Sequence, residues 1–79
     1  VYTAEFKKDI EKIRDKKVQE RIKKLIQRII DNPEVGKPLS YDLVGLRSLR
    51  VTPFRIIYEY KNNMITLIKF EHREKVYRS

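Results

Sequence analysis

Cysteine is absent from this chain of 79 residues, and histidine occurs once, at His72. Without thiols there is no disulfide framework and no thiolate metal site, and one imidazole does not make a zinc site of the common kind. The lack of cysteine suits a reducing compartment. Glycine is nearly as scarce, with only Gly36 and Gly45, so no glycine-rich loop exists to cradle a nucleotide phosphate. No apolar run approaches the roughly 18–20 residues of a membrane span, and the N-terminus has no signal-peptide core. A cytoplasmic protein is expected. The serines, Ser40, Ser48 and Ser79, stand in no context that activates one as a nucleophile. Asp and Glu lie mostly on stretches that read as helix, so a paired-carboxylate site is not expected either.

What is present is positive charge. The formal net charge is +8, and it is unevenly spread. Residues 47–79 carry eight Lys/Arg against Glu59, Glu71 and Glu74, a net of +5; residues 1–46 carry eleven basic against eight acidic residues, a net of +3. Such a field favours a polyanion, either nucleic acid or an acidic protein, although a lysine-rich solvated surface accounts for it equally well. The length fits one domain over residues 1–79, near the size at which a single core gives only marginal stability.

Val1-Tyr2-Thr3 is a short β-favouring start, an expected edge strand, and Thr3 then serves as the N-cap of a first helix with Glu5 in its first turn. Phe6, Ile10 and Ile13 recur at helical spacing over about ten residues. Arg14-Asp15-Lys16-Lys17 interrupts that pattern without Gly or Pro. A second helix carries Val18, Ile22, Leu25, Ile26, Ile29 and Ile30 as a broad apolar stripe, and it stops at Asn32-Pro33, because the residue before proline is pushed out of the α region. Its basic face, with Lys16, Lys17, Arg21, Lys23, Lys24 and Arg28, reads as solvated. Glu34 to Asp42 reads as a loop.

Two β-branched and aromatic-rich runs follow, Leu46–Val51 and Phe54–Tyr60, separated by Thr52-Pro53 and expected to form an antiparallel hairpin. With that two-residue loop, Val51 pairs with Phe54 and Arg50 lies directly opposite Arg55 on the same face. Like charges so placed cost roughly 0.2–1 kcal/mol. Asn62-Asn63 suits a tight turn at positive φ, which leads into a third strand, Met64–Phe70. Counting back from that turn places Phe70 beside Arg55 and Ile68 beside Ile57. One face then collects Leu49, Val51, Phe54, Ile56, Tyr58, Tyr60, Ile65 and Leu67, a surface fit for a core under the helical hairpin. The other collects Ser48, Arg50, Arg55, Ile57, Glu59, Thr66, Ile68 and Phe70. The expected architecture is α+β, an N-terminal helical hairpin packed on one face of a twisted antiparallel β-sheet. Val76-Tyr77 in the charged tail either adds a short strand or tucks against the sheet edge.

The chemistry left to such a chain is that of Arg, Lys, Tyr and His, groups that bind phosphate, stack on bases and move protons. Without a metal, that set can run RNA cleavage by attack of the substrate's own 2′-hydroxyl on the adjacent phosphate. The RNA brings the nucleophile; the protein supplies charge at the phosphorane, proton transfer and a platform for splayed bases. Arg55 and Arg50 are the candidates for charge, and Tyr77, Phe70 or His72 for stacking or proton transfer. A purely structural Arg55 calls for a carboxylate partner, and Glu59 is two same-face positions away. His72 in a charged tail is either incidental or a proton shuttle, and Tyr77 either packs or touches substrate.

Leu43-Val44-Gly45-Leu46-Arg47-Ser48-Leu49-Arg50-Val51, Phe54-Arg55-Ile56-Ile57-Tyr58-Glu59 and His72-Arg73-Glu74-Lys75-Val76-Tyr77, in that order behind a two-helix hairpin, resemble the RelE branch of the RelE/ParE toxin superfamily. The resemblance spans nearly the whole chain. It implies a microbial-ribonuclease-like α+β fold and a toxin that cleaves mRNA in the ribosomal A site, with no cofactor. It also implies a cognate RelB-like antitoxin that masks the site, in a toxin–antitoxin heterotetramer. Carried over by position, Arg55 matches the strand arginine at the scissile phosphate, Arg73 a C-terminal arginine that donates a proton or contacts phosphate, and Tyr77 a tyrosine that stacks on or orients the substrate. Arg50 and Ser48 stand where members of the family carry lysines. Arg47, Ser48, Phe70 and Arg78 complete the expected RNA contacts. Arginine stays protonated at any working pH, so Arg50 serves as an electrostatic stabiliser rather than a base, and deprotonation falls to His72 or to ribosomal RNA. Two other functions remain open: a ParE-like inhibitor of DNA gyrase without catalysis, and an RNA- or protein-binding homologue that has lost activity.

Overall fold

The computed structural model describes residues 1–39 and 45–72. Its first helix, α1 (Ala4–Glu11), begins where Thr3 stays extended and its hydroxyl oxygen accepts from the Phe6 amide at 3.1 Å. The same hydroxyl donates to the Ile68 carbonyl at 2.9 Å, so the cap also ties the helix to the sheet. A second helix, α2 (Lys16–Asp31), starts at Asp15, whose carboxylate accepts from the amides of Lys17 at 2.8 Å and Val18 at 3.5 Å. That aspartate, hidden in the charged cluster, is what separates the helices, by satisfying amide groups that the first turn leaves without partners. The helix ends at Asn32, ahead of Pro33.

Among the described residues, four strands form one antiparallel sheet in the order β1-β2-β3-β4: β1 (Lys37–Pro38), β2 (Leu46–Val51), β3 (Phe54–Lys61) and β4 (Met64–His72). Val51 pairs with Phe54 and Arg50 with Arg55, the register expected of a two-residue loop. Asn62 and Asn63 take φ values of 53° and 62°, which short side chains able to bond locally tolerate best. Tyr2 forms a parallel bridge with Leu67, at the place of the expected edge strand. Strand β1 is an addition: Lys37 pairs with Ser48 and Pro38 with Arg47 inside what reads as loop.

The β3–β4 pairing departs from simple alternation. It runs in register from Lys61↔Met64 to Tyr58↔Leu67, then shifts, so that Ile57 meets Lys69, Ile56 meets Phe70 and Arg55 meets Glu71. Ile68 is the extra residue of a β-bulge. One inserted residue inverts the faces beyond it, because side chains alternate with a period of two. Phe70 therefore turns into the core, 5% exposed, instead of standing beside Arg55.

The core lies between the helices and one sheet face. Phe6, Ile22, Leu25 and Ile29 from the helices meet Leu49, Phe54, Ile56, Tyr58, Leu67 and Phe70 from the strands. Burying side chains of this size contributes about 1.5–3 kcal/mol each. Ile30 departs from the expected stripe: it is 54% exposed, one residue round the helix from Ile29. Among the described residues, no helix is long and apolar enough to cross a membrane.

Candidate phosphate-binding groove

Strand alternation on β3 sends Phe54, Ile56 and Tyr58 into the core and leaves Arg55 and Ile57 on the opposite face. On β2 it buries Leu49 and exposes Arg50. The β2–β3 register then sets Arg50 and Arg55 across from one another on that open face. Beside them β1 brings Lys37, and the edge of the sheet opens into a groove of about 460 Å³ lined by Val35, Lys37, Pro38, Leu39, Ser48, Leu49, Arg50 and Arg55. Three of those side chains are cations, and four of the others, Val35, Pro38, Leu39 and Leu49, offer an apolar wall. Among the described residues no three of His, Cys, Asp or Glu converge as a metal site.

Arg55 is not without a counter-charge. Its Nε donates to Glu71 Oε1 at 2.6 Å, and its Nη2 is ion-paired with the same oxygen. The two side chains are about a quarter exposed, 28% and 25%. The carboxylate partner that a structural arginine calls for is thus present, on β4 rather than at Glu59, and the bulge is what delivers it. Arg50, Arg55 and Glu71 form a row across three strands, with Arg55 in the middle. Opposite-charge pairing across β3–β4 offsets the like-charge pairing across β2–β3.

Two of the expected RNA contacts, Arg47 and Phe70, and the expected proton-transfer residue, His72, are placed differently. Arg47 points back to the loop, where its Nη1 donates to the carbonyls of Gly36 at 2.7 Å and Glu34 at 3.1 Å; alternation with Leu49 and Val51 puts it on the helix-facing side. Replacing it with methionine, which keeps the apolar stem, is expected to lower stability by about 1–2 kcal/mol through the two lost charged hydrogen bonds, read as a lower midpoint in urea. Phe70 is core, for the reason given by the bulge. His72 pairs with Phe54, and their ring centroids are 5.0 Å apart. It therefore packs on the helix side of the sheet, away from Arg55, against the Phe54 ring that also takes the Arg21 guanidinium, whose carbon lies 4.7 Å from the ring centroid. Ser48 lines the groove as a small, half-buried side chain. Arg73, Tyr77 and Arg78 lie outside the described residues. The groove also gains two residues absent from the sequence reading, Lys37 on its wall and Glu71 behind Arg55.

The wall that carries Lys37 is held by Tyr58. Its buried hydroxyl donates to the Pro33 carbonyl at 2.6 Å and accepts from the Gly36 amide at 2.9 Å. A Cβ at position 36 would sit 2.7 Å from that hydroxyl, so the close approach depends on glycine. Burial pushes the Tyr58 phenol above its usual range, opposed by the Gly36 amide and the Arg47 charge.

Comparison with known proteins gives one family and one fold. The sequence profile of the ParE toxin of type II toxin–antitoxin systems, parDE, matches residues 1–77. No curated protein matches the sequence significantly. Among solved structures, the chain is similar to a chain of the toxin–antitoxin complex RelBE2 from Mycobacterium tuberculosis, with a TM-score of 0.77 and 22% identity over 92% of this chain and 94% of that one. It is also similar to a chain of the RelB–RelE antitoxin–toxin complex from Methanococcus jannaschii, with a TM-score of 0.73 and 19% identity over 99% of this chain and 95% of that one. The architecture, two N-terminal helices on a four-stranded antiparallel sheet, is RelE-like.

Proposed function

The chain belongs to the ParE toxin family of type II toxin–antitoxin systems, and from that premise we propose that it acts in the cytoplasm as a ribosome-dependent endoribonuclease, cutting mRNA in the A site. The observation that carries this reading is the Arg50–Arg55 pair on the open face of the sheet, beside Lys37 in one groove. Two guanidinium groups on adjacent strands are costly for a fold and well suited to a phosphodiester. A planar fork of N–H donors matches phosphate oxygens, and its charge is worth most where negative charge develops on the phosphorane. The attacking 2′-oxygen, the phosphorus and the leaving 5′-oxygen all belong to the RNA, so the protein's work is alignment and charge. With His72 turned onto Phe54, removal of the 2′-proton falls to ribosomal RNA, since arginine does not act as a base at working pH.

The experiment is to add the purified protein to programmed ribosomes and map mRNA 5′ ends. Cuts confined to the A-site codon are expected. Two observations favour a second reading, inhibition of DNA gyrase by contact alone: the family is described by its ParE members, and Arg55 already holds a carboxylate. Intact mRNA together with gyrase-dependent DNA breaks would establish that reading in place of the first.

A cognate antitoxin is part of the proposal. The structural relatives were solved as toxin–antitoxin complexes, and the net charge of +8 favours a partner with an acidic segment that folds on binding. Expression without that partner is expected to arrest growth, scored as colony counts against a co-expressed control.

A further inference from the structure

From the row Arg50–Arg55–Glu71 we infer that Glu71 is a positioning residue, which fixes the plane of the Arg55 guanidinium so that its outer end addresses the groove. The inference rests on the groove being the phosphate site. A guanidinium has five N–H donors in a rigid plane. In Arg55 the Nε hydrogen goes to Glu71 Oε1 and Nη2 is ion-paired with the same oxygen, which uses the side-on edge. Among the described residues no acceptor meets Nη1, so the end that carries Nη1 is the part left for a ligand. Glu71 is not among the residues lining the groove, whereas Arg55 is. The carboxylate therefore stands behind the arginine and does not occupy the place a phosphate takes.

Position and charge both point the same way. Arg50 repels Arg55 from one side of the row; Glu71 attracts it from the other. Without Glu71, a long side chain with many rotamers swings free of its cationic neighbour, and the paired donors are no longer held ready. An arginine held in one plane loses less entropy on gripping a phosphate, and alignment at this level governs rate. The same carboxylate lowers the positive charge of the site, so it weakens polyanion binding while it improves geometry. Those opposite effects separate positioning from a merely structural ion pair.

The test uses the full chain with Glu71→Ala, Glu71→Gln, Arg55→Ala and the double variant Arg55→Ala/Glu71→Ala. Three readouts are taken on each: the unfolding midpoint, affinity for an RNA oligonucleotide blocked by 2′-O-methylation, and single-turnover cleavage on ribosomes. Glu71→Ala is expected to cleave about 10- to 100-fold more slowly while binding the blocked RNA as tightly as the parent or more so. Glu71→Gln, which keeps an acceptor, is expected to recover part of the rate. The double variant should cleave no more slowly than Arg55→Ala, because Glu71 acts through that arginine. Full-rate cleavage by Glu71→Ala, or a further loss in the double variant, overturns the inference. So does a parallel fall of binding, cleavage and unfolding midpoint. If the parent protein makes no cuts at all, the nuclease reading fails by itself. Glu71 is then judged by the Arg55 Nε–Hε resonance, which should be sharp and perturbed by added blocked RNA in the parent and broadened in Glu71→Ala. A resonance indifferent to both changes would sink it.

Discussion

Arg55→Ala is expected to lower A-site cleavage by about 10²–10³, the loss that follows removal of one donor aimed at transition-state charge. The expectation follows from where the side chain stands. It lies mid-sheet, on a strand whose alternate residues Phe54 and Ile56 are locked in the core, and a carboxylate holds its Nε edge. The backbone under it is therefore among the least movable in the fold, and the donor is placed in advance. Truncation also leaves Glu71 partly buried beside the groove without its cation, which adds local repulsion of RNA to the loss of the donor. Arg55→Ala/Glu71→Gln removes that second contribution and is expected to keep most of the defect. Arg55→Lys retains charge but not the fork, and should fall between the parent and alanine. The ion pair itself, being about a quarter exposed, contributes on the order of 1 kcal/mol or less. An unfolding midpoint that stays near the parent's, together with the rate loss, therefore separates a site defect from misfolding.

Tyr58→Phe is expected to cost about 3 kcal/mol near neutral pH, the largest stability change expected from removing a single atom here. The hydroxyl bridges two backbone groups, the Pro33 carbonyl and the Gly36 amide, in a position where the ring is fully buried. Each group left unsatisfied costs about 1–3 kcal/mol. The pH dependence has a definite sign. Burial raises the phenol's pKa in the folded state above its ordinary value of 10.0, so the folded chain holds that proton more tightly than the unfolded chain. The resulting stability is fully present below about pH 10 and is lost as pH rises through the folded-state value. Phenylalanine has no proton to lose. Urea titrations at pH 7 and above pH 10 should therefore show the parent's lead over Tyr58→Phe narrowing in alkali, and a constant gap would contradict the assignment. Cleavage should also decline, because the same hydroxyl holds the turn that carries Lys37 to the groove.

The parts of this molecule that could be read from sequence are those specified by neighbours in the chain. Thr3 and its helix, the stripe from Val18 to Ile29, the stop at Asn32-Pro33 and the turn at Asn62-Asn63 each rest on bonds within a few residues. So does the Arg50–Arg55 register, which follows from a two-residue loop. Asp15 was legible in principle as a side-chain acceptor preceding an apolar stripe. Arg47 was legible too, since strict alternation with Leu49 and Val51 assigns it to the helix side. Strand β1 was not, because the two residues Lys37 and Pro38 form a ladder only when Ser48 and Arg47 arrive to pair with them. The bulge at Ile68 was hidden for a related reason. An apolar residue between Leu67 and Lys69 satisfies either count, and only the packing of Phe70 against Phe54, with ring centroids 5.7 Å apart, selects the shifted one. The place of Glu71 beside Arg55 follows from that selection.

The outer margin of β4 has its own consequence. The Leu67 amide donates to the Val1 carbonyl at 2.8 Å, and the Leu67 carbonyl accepts from Thr3 at 2.9 Å. Further along, the Phe70 amide donates to the Asp9 carboxylate at 3.2 Å. Main-chain groups that would otherwise template a foreign strand are spoken for by the chain's own first nine residues, which blunts this flank against aggregation. A peptide that lengthens the sheet by hydrogen bonding therefore finds these positions of β4 already taken.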